Sequence, residues 1–153
     1  MSTVSHAGFP VTSGKAASVD ASAVKPLVLL LGRLFYVAIF VMSGVTHFTA
    51  KPVAYAAAAG VPFASLAVPA SGLLALAGGL SILLGYRARL GAWLLVLFLI
   101  PVSFAMHNFW AVKDPMMAQM QMAMFMKNVS MLGGALLISQ FGAGPWSLDA
   151  RRK

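Results

Sequence analysis

HNFWAVKDPMMAQMQMAMFMKNVSMLGGALLISQFGAGPWSLD, residues His107–Asp149, decides how the chain folds. Asp114-Pro115 is a helix start: the Asp carboxylate can accept from orphan N–H groups, and Pro fits the first helical position. From Asn128 to Phe141 no residue is charged, and Gly142, Gly144 and Pro145 then stop the helix. Crossing hydrocarbon takes about 20 residues, and counting back from Phe141 reaches Gln121. Lys127 therefore lies inside the membrane end of this helix, where a cation must snorkel or face the bundle interior.

The rest of the chain agrees with a membrane reading. Sixty per cent of the 153 residues are hydrophobic and only 9% are charged, outside the range of ordinary soluble domains. The length suits one domain. The absence of Cys excludes disulfides, thiolate zinc sites, iron–sulfur clusters and cysteine nucleophiles from this chain. A net charge of +8 might suggest nucleic acid. The cations, however, stand at the ends of apolar segments, which suits anionic headgroups, so the lipid bilayer and not nucleic acid is the expected partner.

Working outward, the fold class is an all-α membrane protein, a four-transmembrane-helix bundle. Residues 1–25 read as a mobile N-terminal tail, without helical periodicity. The membrane domain spans 26–149, with crossings at about 26–48, 64–85, 90–107 and 121–141. Residues 150–153 form a basic C-terminal end. The first apolar run is long for a signal peptide and is interrupted by Arg33, so it is expected to be retained. Between the first two crossings, AYAAAAG can form a short helix that Gly60 and Pro62 stop. Small residues, Ser43 and Gly44 in the first crossing and Gly72, Gly78 and Gly79 in the second, allow helices to approach closely. Pro101 is expected to kink the third crossing and free a carbonyl.

Four crossings put both termini and the Tyr86–Arg89 turn on one face. Eight of the eleven cations (Arg33 among them) belong there, against Lys51, Lys113 and Lys127 opposite, so the positive-inside rule makes that face cytoplasmic. His47, His107, Asn108, Trp110 and Asp114 then gather at the outer end of a bacterial inner membrane. Two histidines at one depth can bond a quinone carbonyl, hold a metal or pass a proton; Phe48, Phe109 and Trp110 are candidate walls. The plain alternative is that both cap helices among headgroups, with Trp110 in the aromatic belt. Seven of the ten Met lie from Met116 to Met131, and thioethers favour Cu(I). The alternating MQMAMFM run scatters sulfurs around a helix, so no metal site is assigned. No catalytic residue is identified: the chain has no hydrolase triad and no convincing haem pair. Of the three acids, Asp149 is the ordered carboxylate within reach of Arg33, and an Arg33–Asp149 contact, direct or through water, is expected to lock the C-terminal turn beneath the first helix.

The ordered set RLF, SGVTHF, GGLSILLGYRARLGA, HNFW, DP, FMKN, LGGALL and GxGxxSLD resembles the DoxX family of small bacterial membrane proteins, over roughly Lys25 to Arg151. Arg33, Gly44, His107, Trp110, Lys127, Asn128, Gly133, Gly134, Ser147, Leu148 and Asp149 match its pattern. The resemblance implies four helices and a membrane subunit or anchor serving a quinone-linked oxidoreductase, with a protein partner or a homo-oligomer. The residues assigned to a quinone are His47, His107, Asn108, Trp110, Lys127 and Asn128, although His47 stands near a position where many relatives carry Lys. A non-catalytic scaffold or stress-response partner is the alternative, with Met/His copper handling third. Family members usually carry an acid where this chain has Ala75, so any relay through that carboxylate is absent here.

Overall fold

The computed structural model describes residues 21–152. Five helices run in order: α1 (Ala21–Thr46), the short α2 (Ala50–Ala58), α3 (Ala64–Leu84), α4 (Ala88–Met106) and α5 (Pro115–Phe141). Four of them, all but α2, are long and apolar enough to cross a membrane. The all-α four-crossing fold is thus the observed one. One boundary differs from the sequence reading: helix α1 begins at Ala21 and carries Pro26 inside it, so residues 21–25, expected in a tail, belong to that helix. Residues 1–20, with the remainder of that tail, lie outside the described residues.

Local chemistry sets the helix ends. Asp114 accepts from the Met117 N–H at 2.8 Å, and Pro115 opens α5 behind it. At 27 residues α5 is about 40 Å long, more than the ~30 Å hydrocarbon layer, so its first turns stand outside. Gly85, with φ 63°, turns α3 into α4, and Gly142, with φ 76°, ends α5.

Helices pack in the ring order α1, α3, α4, α5, and small residues let backbones meet. A Cβ on Gly72 would stand 2.9 Å from the Gly44 carbonyl, which fixes the α1–α3 crossing. A Cβ on Gly78 would stand 2.8 Å from the Gly91 carbonyl, which does the same for α3 and α4. Val37, Phe40, Ala75, Ile82, Leu95 and Leu99 are wholly or almost wholly buried in the core. The ring is completed through Tyr36 of α1. Its hydroxyl donates to the Met131 carbonyl of α5 at 2.6 Å, and its ring lies against Gly134, where a Cβ would be 2.7 Å away. In hydrocarbon a phenol needs such an acceptor, so this bond ties the first and last crossings together. Exposed Leu, Ile, Phe and Met cover the outside, as contact with lipid tails requires.

Candidate functional site

The two ends of the bundle treat their polar residues differently. At the end carrying the α3–α4 turn, the segment after α5 folds back and closes the helices. The Leu148 N–H donates to the Leu84 carbonyl at 3.2 Å, and the Asp149 N–H donates to the Gly85 carbonyl at 2.8 Å. The Asp149 carboxylate accepts from the N–H of Arg87 at 2.8 Å and of Ala88 at 3.0 Å. One residue thereby satisfies the last turn of α3 and caps the first turn of α4. Partial burial raises the Asp149 carboxyl, but the N–H groups of Ala88 and Arg87 and the charges of Arg152 and Arg87 outweigh it. The group is held below its ordinary value.

Arg33 is buried at the same end. Its Nη2 donates to the Trp146 carbonyl at 2.8 Å, and Trp146 takes φ 57°, an unusual angle for a bulky residue, to present that oxygen. The C-terminal turn is thus held to the first helix, as expected, but Arg33 and Asp149 each have a different partner. In place of a direct Arg33–Asp149 contact, Arg33 binds a backbone carbonyl and Asp149 caps a helix, because unpaired backbone groups on both sides of the turn compete for them. The Nε and Nη1 of Arg33 are buried without a partner among the described residues. Packing is tight here: a Cβ on Gly85 would stand 2.5 Å from Arg33 Nη1.

The opposite end holds a cavity of about 580 Å³ between α1, α3, α4 and α5, with α2 across one side. That volume lies within the ~300–1,000 Å³ of small-molecule sites. Most of its wall is apolar, with Phe40, Tyr55 and Phe98 among its aromatic residues. His47, His107, Lys127 and Asn128 all line it. These four residues, from the ends of α1 and α4 and the middle of α5, thus border one space. Asn108 and Trp110, expected with them, do not. Trp110 packs instead with Phe104, Phe109 and Phe125, at centroid separations of 6.1, 5.1 and 5.8 Å, and is more than half exposed. An indole N–H attached to an apolar body favours that interfacial position. Phe48, also expected as a wall, is half exposed outside the cavity.

Each imidazole has one nitrogen engaged. His47 Nδ1 lies 2.6 Å from the Ser43 carbonyl, which can only accept, so Nδ1 carries the proton. His107 Nδ1 lies 2.8 Å from Gln121 Oε1, while the Gln121 amide N–H reaches the Tyr55 hydroxyl at 3.4 Å. This chain joins α4, α5 and α2 at the mouth. Sequence reasoning missed Gln121 and Tyr55; the only signal was that Gln121 marks the membrane entry of α5. Asn128 is buried yet makes no side-chain hydrogen bond among the described residues. The Lys127 ammonium is exposed, 3.3 Å from Met124 sulfur. Pro101 and Leu97 border the same space, and Pro101 has no N–H for the Leu97 carbonyl. Ala75 is fully buried in the apolar core, off the cavity wall. Met120, Met122, Met124 and Met126 are exposed on both sides of α5, so their sulfurs do not converge.

A ring of four crossing helices, sealed at one end and hollowed beside two histidines at the other, is a multi-pass integral membrane protein with a ligand-sized intramembrane cavity. Residues 28–108 match the DoxX family, and residues 70–153 match the SURF4 family. The chain is 30% identical over 134 residues to the inner membrane protein YphA of Escherichia coli (strain K12), covering 86% of this chain and 95% of that protein. It is 32% identical over 123 residues to the inner membrane protein YqjF of the same organism, covering 79% and 88%. The chain belongs to the DoxX family and is a multi-pass inner membrane protein. No solved structure matches it.

Proposed function

We propose that this chain is a membrane subunit that holds a quinone-type ligand in the cavity and serves an oxidoreductase partner. The observation that carries the reading is the cavity itself: an apolar, ligand-sized space whose few polar points are His47, His107, Lys127 and Asn128. Those side chains supply both donors and acceptors to ring oxygens, and the apolar wall suits the ring and its tail. The placing of the cavity towards the outer membrane face, with both termini cytoplasmic, rests on eight cations against three.

Purification in mild detergent, with mass spectrometry of extracted lipids and co-purifying proteins, tests the proposal. A quinone-type ligand, counted as quinone plus hydroquinone, near one per chain and depleted in His107→Ala, supports it. An empty bundle that brings down a soluble protein would instead favour the scaffold role. Reporter fusions after Lys153 and within residues 51–60 should give opposite signals, and a periplasmic C-terminus would move the cavity to the inner leaflet.

A further inference from the structure

The protons on the two histidines say which redox form of such a ligand the cavity accepts. His47 is the firmer case. Its Nδ1 is 2.6 Å from a backbone carbonyl of its own helix, so the proton sits on Nδ1, and in the neutral ring Nε2 is a bare acceptor. His107 repeats the pattern, with Nδ1 against the Gln121 amide oxygen at 2.8 Å and Nε2 left as acceptor. The two imidazole acceptors belong to two different helices, and neither Nε2 meets a donor from the protein among the described residues.

Acceptors need donors. A quinone carries carbonyl oxygens only, so it can use Lys127 and Asn128 but would face the imidazole Nε2 atoms lone pair to lone pair. A hydroquinone carries two hydroxyl groups. Each can donate to an imidazole Nε2 and still accept from the Lys127 ammonium or the Asn128 amide. We infer that the cavity is built for a hydroxyl-bearing aromatic ligand and selects the reduced, hydroquinone form over the quinone. The inference rests on the quinone-type reading of the cavity and adds to it the direction of preference. Each hydrogen bond made in an apolar site, against an acceptor left bare, discriminates strongly. Two of them correspond to about tenfold or more in affinity.

The test uses the full chain in detergent micelles under anaerobic conditions, with calorimetric titration of three probes: a short-chain benzoquinone, its hydroquinone, and the dimethyl ether of that hydroquinone. The ether keeps the shape and the accepting oxygens but has no hydroxyl proton. The expected order is hydroquinone tighter than quinone by about tenfold, with the ether no better than the quinone. His47→Phe should remove most of that difference while leaving quinone affinity within about twofold, and Lys127→Met should weaken both forms. Quinone binding equal to or tighter than hydroquinone overturns the inference and leaves the quinone-type reading standing, as does an ether as tight as the hydroquinone. Binding of none of the three probes overturns both. The wild-type comparison of hydroquinone with its ether decides the matter even where a histidine variant does not fold.

Discussion

The two ends of this bundle hold similar polar side chains and do opposite things with them. Around Gly85, polar groups are directed at backbone: Arg33 at the Trp146 carbonyl, Asp149 at the N–H groups of Arg87 and Ala88, and Ser147 at the Gly144 carbonyl. Nothing larger than hydrogen fits at Gly85, where a Cβ would collide with that of Ser147. Around the cavity the histidines are anchored by one nitrogen each, and Asn128 is buried with no protein partner among the described residues. Side chains bonded to backbone at the Gly85 end hold the fold together, although two Arg33 nitrogens there are buried without a partner among the described residues, whereas the polar groups on the cavity wall border a space that a ligand can enter. The difference separates stability from binding along the bundle.

The contrast is broken most directly at Gly85. Gly85→Val adds a β-branched side chain at φ 63°, against Ser147, Ala143 and Arg33. Left-handed strain and overpacking together should exceed about 3 kcal/mol, with the C-terminal segment expelled from the α3–α4 turn. Thermal melting in detergent, combined with protease cleavage after Phe141, should show a large loss of stability and a newly cut tail. A variant as stable as the wild type would mean that this end is not closed as described.

A smaller effect is expected at Asp149. Asp149→Ala removes the cap of α4, which should lower stability by about 1–2 kcal/mol. The charge adds a pH signature. The folded carboxyl lies below its ordinary value, so its contribution is complete above the unfolded value of about 3.9 and fades as the pH falls through the lower folded value. Melting temperatures should therefore be level near neutrality and decline only in acid, below about pH 4, and Asp149→Asn should flatten that acid limb. An Asn variant that follows the wild-type limb would assign the acid sensitivity elsewhere.

How much of this was legible before the structure follows from the range of the interactions. The four crossings were readable because hydropathy over about 20 residues is a local signal, and the start of α5 was readable because Asp114-Pro115 carries its own capping chemistry. The meeting of His47 and His107 was readable from topology, since crossing parity assigns each helix end to a face, whereas Lys127 and Asn128, midway along α5, were singled out by their match to the family pattern. The partners were not. Tyr36 finds its acceptor 95 residues away, and Asp149 caps a helix that starts 61 residues earlier; nothing in either local sequence names the backbone group it serves. Asn108 and Trp110 were grouped with the histidines by depth, but depth says nothing about which side of a helix faces inward. That depends on the turn at Phe109–Ala111, which swings Trp110 onto Phe104 and Phe125.

The smallest expected effect on stability, and the sharpest on the contrast, is at Asn128. The residue is 5% exposed, midway along α5 beside the cavity, and its amide makes no hydrogen bond to the protein among the described residues. A structural Asn in hydrocarbon would be bonded to a neighbouring helix, and its removal would leave that partner bare, a loss of about 1–3 kcal/mol. Here no protein partner is left behind. Asn128→Leu conserves approximate volume and replaces an amide that borders an apolar cavity, so the melting temperature of the empty protein should stay level or rise, by the equivalent of at most about 1–2 kcal/mol. Binding should move the other way, because the amide is one of the few donors on the cavity wall, and affinity for a ring oxygen should fall several-fold. The pairing of unchanged or raised stability with weakened binding is what separates this end from the Gly85 end, where every loss is a loss of fold. Measured together on one preparation, a stability loss at Asn128 as large as that at Asp149 would make both ends structural and leave the cavity without its polar logic.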